Sequence, residues 1–226
     1  MQPVDRNLVN YFAHALPFLD RPYFMAGTGV PDWLMVADRK VRLRTKHAET
    51  MVNDLDPCAA EVAAGVFQHL RDDARFHQTR AFAETSLELT VRIRDALGGE
   101  MGMRPFFLGH LLVELLLDAS LIADDPDRLT EYYRVLDKVD AGRIEAIVNR
   151  MAPRPTGQLA VFIELFRRER ILWDYLENDK LMVRLNQVMR RVRLEALPNR
   201  FAEILPAARE LVIHRSAALY LGVTGS

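Results

Sequence analysis

Cysteine is nearly absent: Cys58 is the single one in 226 residues, which excludes an intrachain disulfide framework. A lone thiol suits a reducing cytosol, and a cytoplasmic location is the expectation. A dominant charge is missing as well. With 30 basic and 31 acidic residues the formal net charge is −1, so the balance points neither to a nucleic-acid partner held by a positive field nor to a polybasic membrane anchor. Long apolar runs are lacking. The longest, Leu111 to Ile122, is interrupted by Glu114 and Asp118, too short and too charged for a membrane span. The opening MQPVDRNLVNYFAHALPFLD has no basic-then-apolar leader layout. Two-residue alternation of the strand type, low-complexity tracts and internal repeats are missing too.

What is present is a chain half of whose residues are hydrophobic, enough for a substantial core. The apolar spacing is helical throughout, and the expected fold is one all-α domain, a multi-helix bundle. Metal-site helices over about residues 5–125 form its core, and helices over about 126–222 pack on them. A short helix is expected from Asp5 to Leu16, with Asp5 as its cap. Ala26 to Leu34 (AGTGVPDWL) reads as a glycine-rich turn. Pro31 then opens a helix and Asp32 sits in its first turn, where a carboxylate is favourable. Val41 to Thr45 is helix or loop, with a short extended piece as the alternative.

A central helix runs from about Ala59 to His77 and continues, bent, to Leu97, where Gly98-Gly99 stops it. Further helices are expected at Arg104–Ala123, from Asp124 to about Val139, and from Asp140 to Met151. Gln158 to Leu194 gives one or two long helices, with Phe162, Leu165, Phe166, Ile171, Leu172, Tyr175 and Leu176 as core candidates. The last runs from Arg200 to Leu221, kinked or split by Pro206.

Two helices carry chemistry. In VAAGVFQHLRDDARFHQTRAF, His69, Asp73 and His77 follow one another at four-residue steps, which in a helix stacks three side chains on one stripe. Val62, Val66, Phe67, Leu70 and Phe76 make the same helix amphipathic. In RPFFLGHLLVELLLDASLIA, His110, Glu114 and Asp118 repeat the step inside a helix that is apolar nearly all round. Ionisable groups in such a helix are costly unless paired or metal-bound. Nitrogen and anionic oxygen donors pre-spaced by a backbone suit a divalent cation. The alternative is a ladder of buried polar groups bonded to neighbouring helices.

With His14 and Asp32 added, four sequence-distant pieces supply such ligands: His14, Asp32, the His69/Asp73/His77 stripe and the His110/Glu114 edge. Helical hydrolases build metal sites this way, from side chains projecting inward. Asp73 and Glu114 are the candidate catalytic carboxylates, and Arg39, Arg42 and Arg104 the candidate phosphate-holding cations.

Asn10-Tyr11-Phe12-Ala13-His14 resembles the N-[FY]-L-A-H motif of bacterial acyl-carrier-protein phosphodiesterases. Gly65-Val66 through His69 and Asp73 is similar to that family's G-I-x-x-H-R-x-I-D segment, and Asp32-Trp33-Leu34 to its D-F after a glycine-containing turn. Leu172-Trp173-Asp174-Tyr175 through Leu185, Val188-Met189 and Arg191 resembles its later W-L-x-x-Y…L…L…M…R helix. The resemblance implies an all-α fold related to HD-domain phosphohydrolases and a divalent metal, manganese in that family, used to cut 4′-phosphopantetheine from acyl carrier protein. It also implies His14, Asp32, His69 and Asp73 as metal ligands.

The chain departs from the pattern where the family's T-D is Phe76-His77, its D-H-F-L is Gly109-His110-Leu111-Leu112, and its central H-R is His69-Leu70. Histidines in place of acids bring zinc or iron level with manganese. A looser likeness joins H-x-x-x-D at His69/Asp73 and G-H-x-x-x-E at Gly109/His110/Glu114 to bacterial zinc-dependent phospholipase C. Both resemblances imply cleavage of a phosphate ester, small or carrier-protein-linked, by water activated at a mono- or multinuclear metal site. A homodimer is compatible with this reading. The competing one is a non-catalytic helical binding or scaffold protein of the same fold. The paired Glu-x-x-His motifs of helical di-iron proteins are absent.

Overall fold

The computed structural model describes residues 10–99 and 104–225. Among the described residues the chain is all-helical, with no strand. In chain order the helices are α1 (Tyr11–Ala15), α2 (Pro22–Ala37), α3 (Thr45–Glu49), α4 (Pro57–Phe76), α5 (Arg80–Ala96) and α6 (Arg104–Asp124). There follow α7 (Pro126–Leu136), α8 (Ala141–Met151), α9 (Leu159–Glu169), α10 (Asn178–Arg191) and α11 (Leu205–Thr224). Tighter 3-10 turns occupy Leu16–Phe18, Ile171–Leu176 and Asn199–Ile204. The expected cap Asp5 lies outside the described residues.

The packing divides the chain into two compact units, each discontinuous in sequence. Among the described residues, one holds Asn10 with Phe76–Asp124 and Ile171–Gly222; the other holds Tyr11–Arg75, Asp125–Arg170 and residues 223–225.

In the second of these, an aromatic cluster organises the core. Tyr11 of α1 and Trp33 of α2 meet the Phe166 ring of α9 at centroid distances of 5.0 and 5.7 Å, and Phe12 meets Tyr132 of α7 at 6.0 Å. Edge-on pairs of this kind add about 0.5–1.5 kcal/mol each beyond the area they bury. They fix α1 and α2, which carry His14 and Asp32.

The expected glycine-rich turn at Ala26 to Leu34 is instead the middle of α2, which starts at Pro22 and contains Pro31. Asp32 is therefore in the body of the helix, not its first turn. The glycines serve close approach: a Cβ on Gly27 would lie 2.4 Å from the Val62 carbonyl oxygen of α4, and one on Gly29 would lie 2.7 Å from the Trp33 ring. Pro31 costs one backbone bond to Gly27, and the burial of Val30, Pro31, Trp33 and Leu34 offsets it. Val41 and Leu43 are buried while Arg42 and Arg44 are exposed along the non-helical stretch before α3. Asp125 and Asp140 cap α7 and α8, accepting from the Arg128 and Arg143 amides.

In the other unit α5 and α6 are the principal pair. They approach closely because Gly109 presents no side chain: a Cβ there would lie 2.4 Å from Thr90 Oγ1 and 2.7 Å from the Ser86 carbonyl oxygen of α5. The central helix does not bend onward to Leu97. It ends at Phe76, and Thr79 caps a separate α5, its hydroxyl accepting from the Phe82 amide at 3.2 Å. Gly98 and Gly99, at φ +77 and +81, close α5 as expected.

By length and hydropathy α6 would also serve as a membrane span, but 78% of that window is buried in the folded chain. The long helical stretch expected over Gln158 to Leu194 is three pieces. Arg170, left-handed at φ 46, ends α9, and the 3-10 turn Ile171–Leu176 precedes α10. Of the core candidates there, Leu165 is exposed. Pro206 falls in the first turn of α11, after the 3-10 turn Asn199–Ile204, so it opens that helix.

Candidate metal centre

In the unit built on α1, α2 and α4, four of the expected ligands come together. Val62, Val66, His69 and Asp73 form one buried face of α4, at the i, i+4, i+7, i+11 spacing of a single stripe. His69 and Asp73 thus lie in line with the apolar residues rather than beside them. His14, the penultimate residue of α1, meets His69 with ring centroids 4.3 Å apart. Asp32, in the body of α2, places Oδ1 3.8 Å from His69 Nε2. One ligand atom each from His14, His69 and Asp73 lies within 4.8 Å of the others.

All four are shielded: relative exposure is 1% for His14, 2% for Asp32, 2% for His69 and 8% for Asp73. Two carboxylates in such a setting require a compensating cation or a full set of donors. Neither ring nitrogen of His14 makes a hydrogen bond among the described residues, and its Nδ1 stands 4.0 Å from Asp72 Oδ2, beyond hydrogen-bond reach. A buried imidazole with both nitrogens unbonded loses its desolvation energy unless something else engages it. The donor chemistry fits a borderline cation such as zinc, iron or manganese.

Sequence reasoning missed Asp72. It is buried at 3% and takes bonds from both sides: Gln68 Nε2 donates to its two oxygens at 2.9 Å, and Arg75 Nη2 to Oδ1 at 2.7 Å. Its signal was the i+4 pairing with Gln68 and i+3 pairing with Arg75, which marks an acid held in place along its own helix.

The remaining three expected ligands form a second group, in the other unit. His77 is not helical; it occupies the turn between α4 and α5, so the stripe loses its last member to that turn. Its Nε2 is hydrogen-bonded to Glu114 Oε1 at 2.9 Å, and His110 Nε2 lies 3.1 Å from the same oxygen. His110 and Glu114 stand one turn apart on α6, and Glu114 is fully buried. The two imidazoles have centroids 4.5 Å apart, and Phe82 packs on each at 4.7 Å. Asp118, a turn further, is also fully buried.

Of the candidate phosphate-holding cations, Arg39 and Arg42 are exposed after α2. Arg104 opens α6 and donates from Nη2 to the Glu195 and Ala196 carbonyls at 3.2 Å each, which ties down that loop. The other two histidines are bound locally. His47 Nδ1 accepts from the Arg44 amide at 3.2 Å, and His214 Nδ1 bonds the Glu210 carbonyl at 2.7 Å.

The class these features define is an all-helical protein with two buried histidine–carboxylate groups, one complete in each unit. No family model, curated protein or solved structure matches the chain.

Proposed function

We propose that this protein is a metal-dependent hydrolase of phosphate esters, a phosphodiesterase whose centre is built on His14, Asp32, His69 and Asp73. The observation that carries the reading is His14: a buried ring, 4.3 Å from His69, with both nitrogens unbonded among the described residues. The resemblance to acyl-carrier-protein phosphodiesterases and their HD-like relatives, carried by the same four positions, supports it. The substrate class is then a small-molecule or carrier-protein-linked phosphate ester.

A divalent cation there would polarise a phosphoryl oxygen and acidify a water. His14 and His69 offer neutral imidazole nitrogens, and Asp32 and Asp73 supply the anionic charge that a dication needs. In this reading Asp73, the most accessible of the four at 8%, would also accept a proton from attacking water, through the carboxylate oxygen not given to the cation. The aliphatic and aromatic surroundings of α1 and α2 exclude bulk solvent, which strengthens each electrostatic contact inside.

The test is metal analysis of protein purified without added metal, followed by bis-p-nitrophenyl phosphate hydrolysis with and without chelator. Bound zinc, manganese or iron with chelator-sensitive turnover is expected. Metal-free protein that stays inert after each of the three is restored would overturn the reading. A second reading, a helical binding or scaffold protein without turnover, draws on the direct 2.9 Å bond between His77 and Glu114, which needs no cation. It requires the metal-free, inert result.

A further inference from the structure

The hydrolase centre leaves the second histidine–carboxylate group unused. We propose that His77, His110 and Glu114 form a second cation site, of zinc type, with its own ligand set and complete within the unit that contains α5 and α6. Three observations carry it.

The first is convergence. Two imidazole Nε2 atoms reach the same carboxylate oxygen, at 2.9 and 3.1 Å. Donor atoms bound about 2.1 Å from one ion stand roughly 3.0–3.4 Å apart at octahedral to tetrahedral angles. The two nitrogen–oxygen edges therefore already sit near the edge lengths of a coordination polyhedron, and one ligand atom from each of the three residues lies within 4.8 Å of the others.

The second is charge. Glu114 has no exposed surface, and a fully buried carboxylate is costly unless a cation or several donors compensate it. A dication suits the group: each imidazole offers a lone pair, and the carboxylate supplies the charge. Two nitrogens and one carboxylate oxygen are a familiar zinc set with one position left for water.

The third is the frame. His110 and Glu114 are fixed one turn apart on α6, while Thr79, whose hydroxyl bonds the Phe76 carbonyl at 2.8 Å, fixes the turn that carries His77. Phe82 packs on both rings, with centroids 4.7 Å from each, and holds them side by side. The His77 side chain keeps 18% of its surface exposed, which gives an ion an entry path.

The experiment counts metal and reads cobalt absorption on full-length wild type, His77→Asn, Glu114→Gln and His14→Asn, each loaded with zinc or cobalt and freed of excess. His77→Asn is partly exposed and Glu114→Gln keeps side-chain volume, so both should fold; near-ultraviolet circular dichroism checks this. Wild type is expected to hold about two equivalents. His77→Asn and Glu114→Gln should each lose about one equivalent and one cobalt band, while His14→Asn loses the other and keeps that band. Wild-type loading in folded His77→Asn would overturn the proposal, as would loss of all metal in every variant. Metal lost with His77→Asn but unchanged in His14→Asn would support this site while removing the basis for the hydrolase centre.

Discussion

Gly27 of α2 and Gly65 of α4 meet backbone to backbone: a Cβ on Gly65 would stand 2.9 Å from the Gly27 Cα and 2.1 Å from the Phe24 carbonyl oxygen. Neither obstacle is a side chain that can swing away. This contact sets how α2, with Asp32, lies on α4, with His69 and Asp73. Gly65→Ala should destabilise the protein by at least about 3 kcal/mol, a fall in melting temperature of roughly 6–12 °C. On the proposed reading it should also weaken metal retention, since the helices that bear the candidate ligands are pushed apart. Gly157→Ala, where nothing lies within 4 Å of the added carbon, is the control and should melt within a degree or two of wild type.

The same pair shows where the sequence could be read and where it could not. Apolar spacing located α6 to within a residue, and α8 runs from Ala141 to Met151 against an expected Asp140 to Met151, whereas α7 stops at Leu136, short of the expected Val139; amphipathicity and helix-start signals are local. The Gly-Thr-Gly-Val-Pro run misled because a glycine needed for helix–helix approach is written like a glycine needed for a turn. The breaks at Arg170 and Arg193, left-handed at φ 46 and 61, use residues that carry no turn signature. His14, Asp32, His69 and Asp73 were legible as ligand types, whereas their convergence depends on long-range packing of three helices. Asp72 was overlooked because a carboxylate on a charged helix end is ordinarily solvated, and only the packed structure shows it buried.

Thr79 separates α4 from α5 and holds the turn containing His77. Its hydroxyl accepts from the Phe82 amide at 3.2 Å and bonds the Phe76 carbonyl at 2.8 Å. Thr79→Ala removes the cap and should cost about 1 kcal/mol, a melting-temperature fall of roughly 2–4 °C. Thr79→Ser keeps the hydroxyl and should recover most of that loss. Thermal denaturation of the two variants beside wild type measures both.

Glu88 gives a pH dependence with a fixed sign. The Arg92 hydrogen bond, reinforced by Arg215, holds its carboxyl below the usual glutamate range, against the opposing effect of partial burial. A folded-state pKa below the unfolded one adds stability that is present above the unfolded value and lost as pH falls through the folded one. The urea midpoint of wild type should therefore exceed that of Glu88→Gln at neutral pH and converge with it in acid. Glu88, Arg92 and Arg215 are all part-exposed, so added salt should narrow the neutral-pH difference. A gap that widened on acidification would contradict the pairing.

Neighbouring carboxylates on α4 should separate catalysis from scaffolding. Asp73 offers its oxygen to the His14/His69 group, while Asp72 is occupied by Gln68 and Arg75. On the proposed hydrolase reading, Asp73→Asn removes a charge and a proton acceptor, so phosphodiester turnover should fall about 10²–10⁴-fold with little change in melting temperature. Asp72→Asn breaks charge-assisted bonds in a buried setting and should cost about 1.5–3 kcal/mol. Its Oδ2 stands 4.0 Å from His14 Nδ1, so on the proposed reading metal affinity should drop by about 10–100-fold while metal-saturated turnover stays within a few-fold of wild type. Saturation kinetics at high metal distinguish the two, because added metal restores the affinity loss of Asp72→Asn and leaves the catalytic loss of Asp73→Asn in place. If both variants were restored equally, Asp73 would be a holder of the site and not its base.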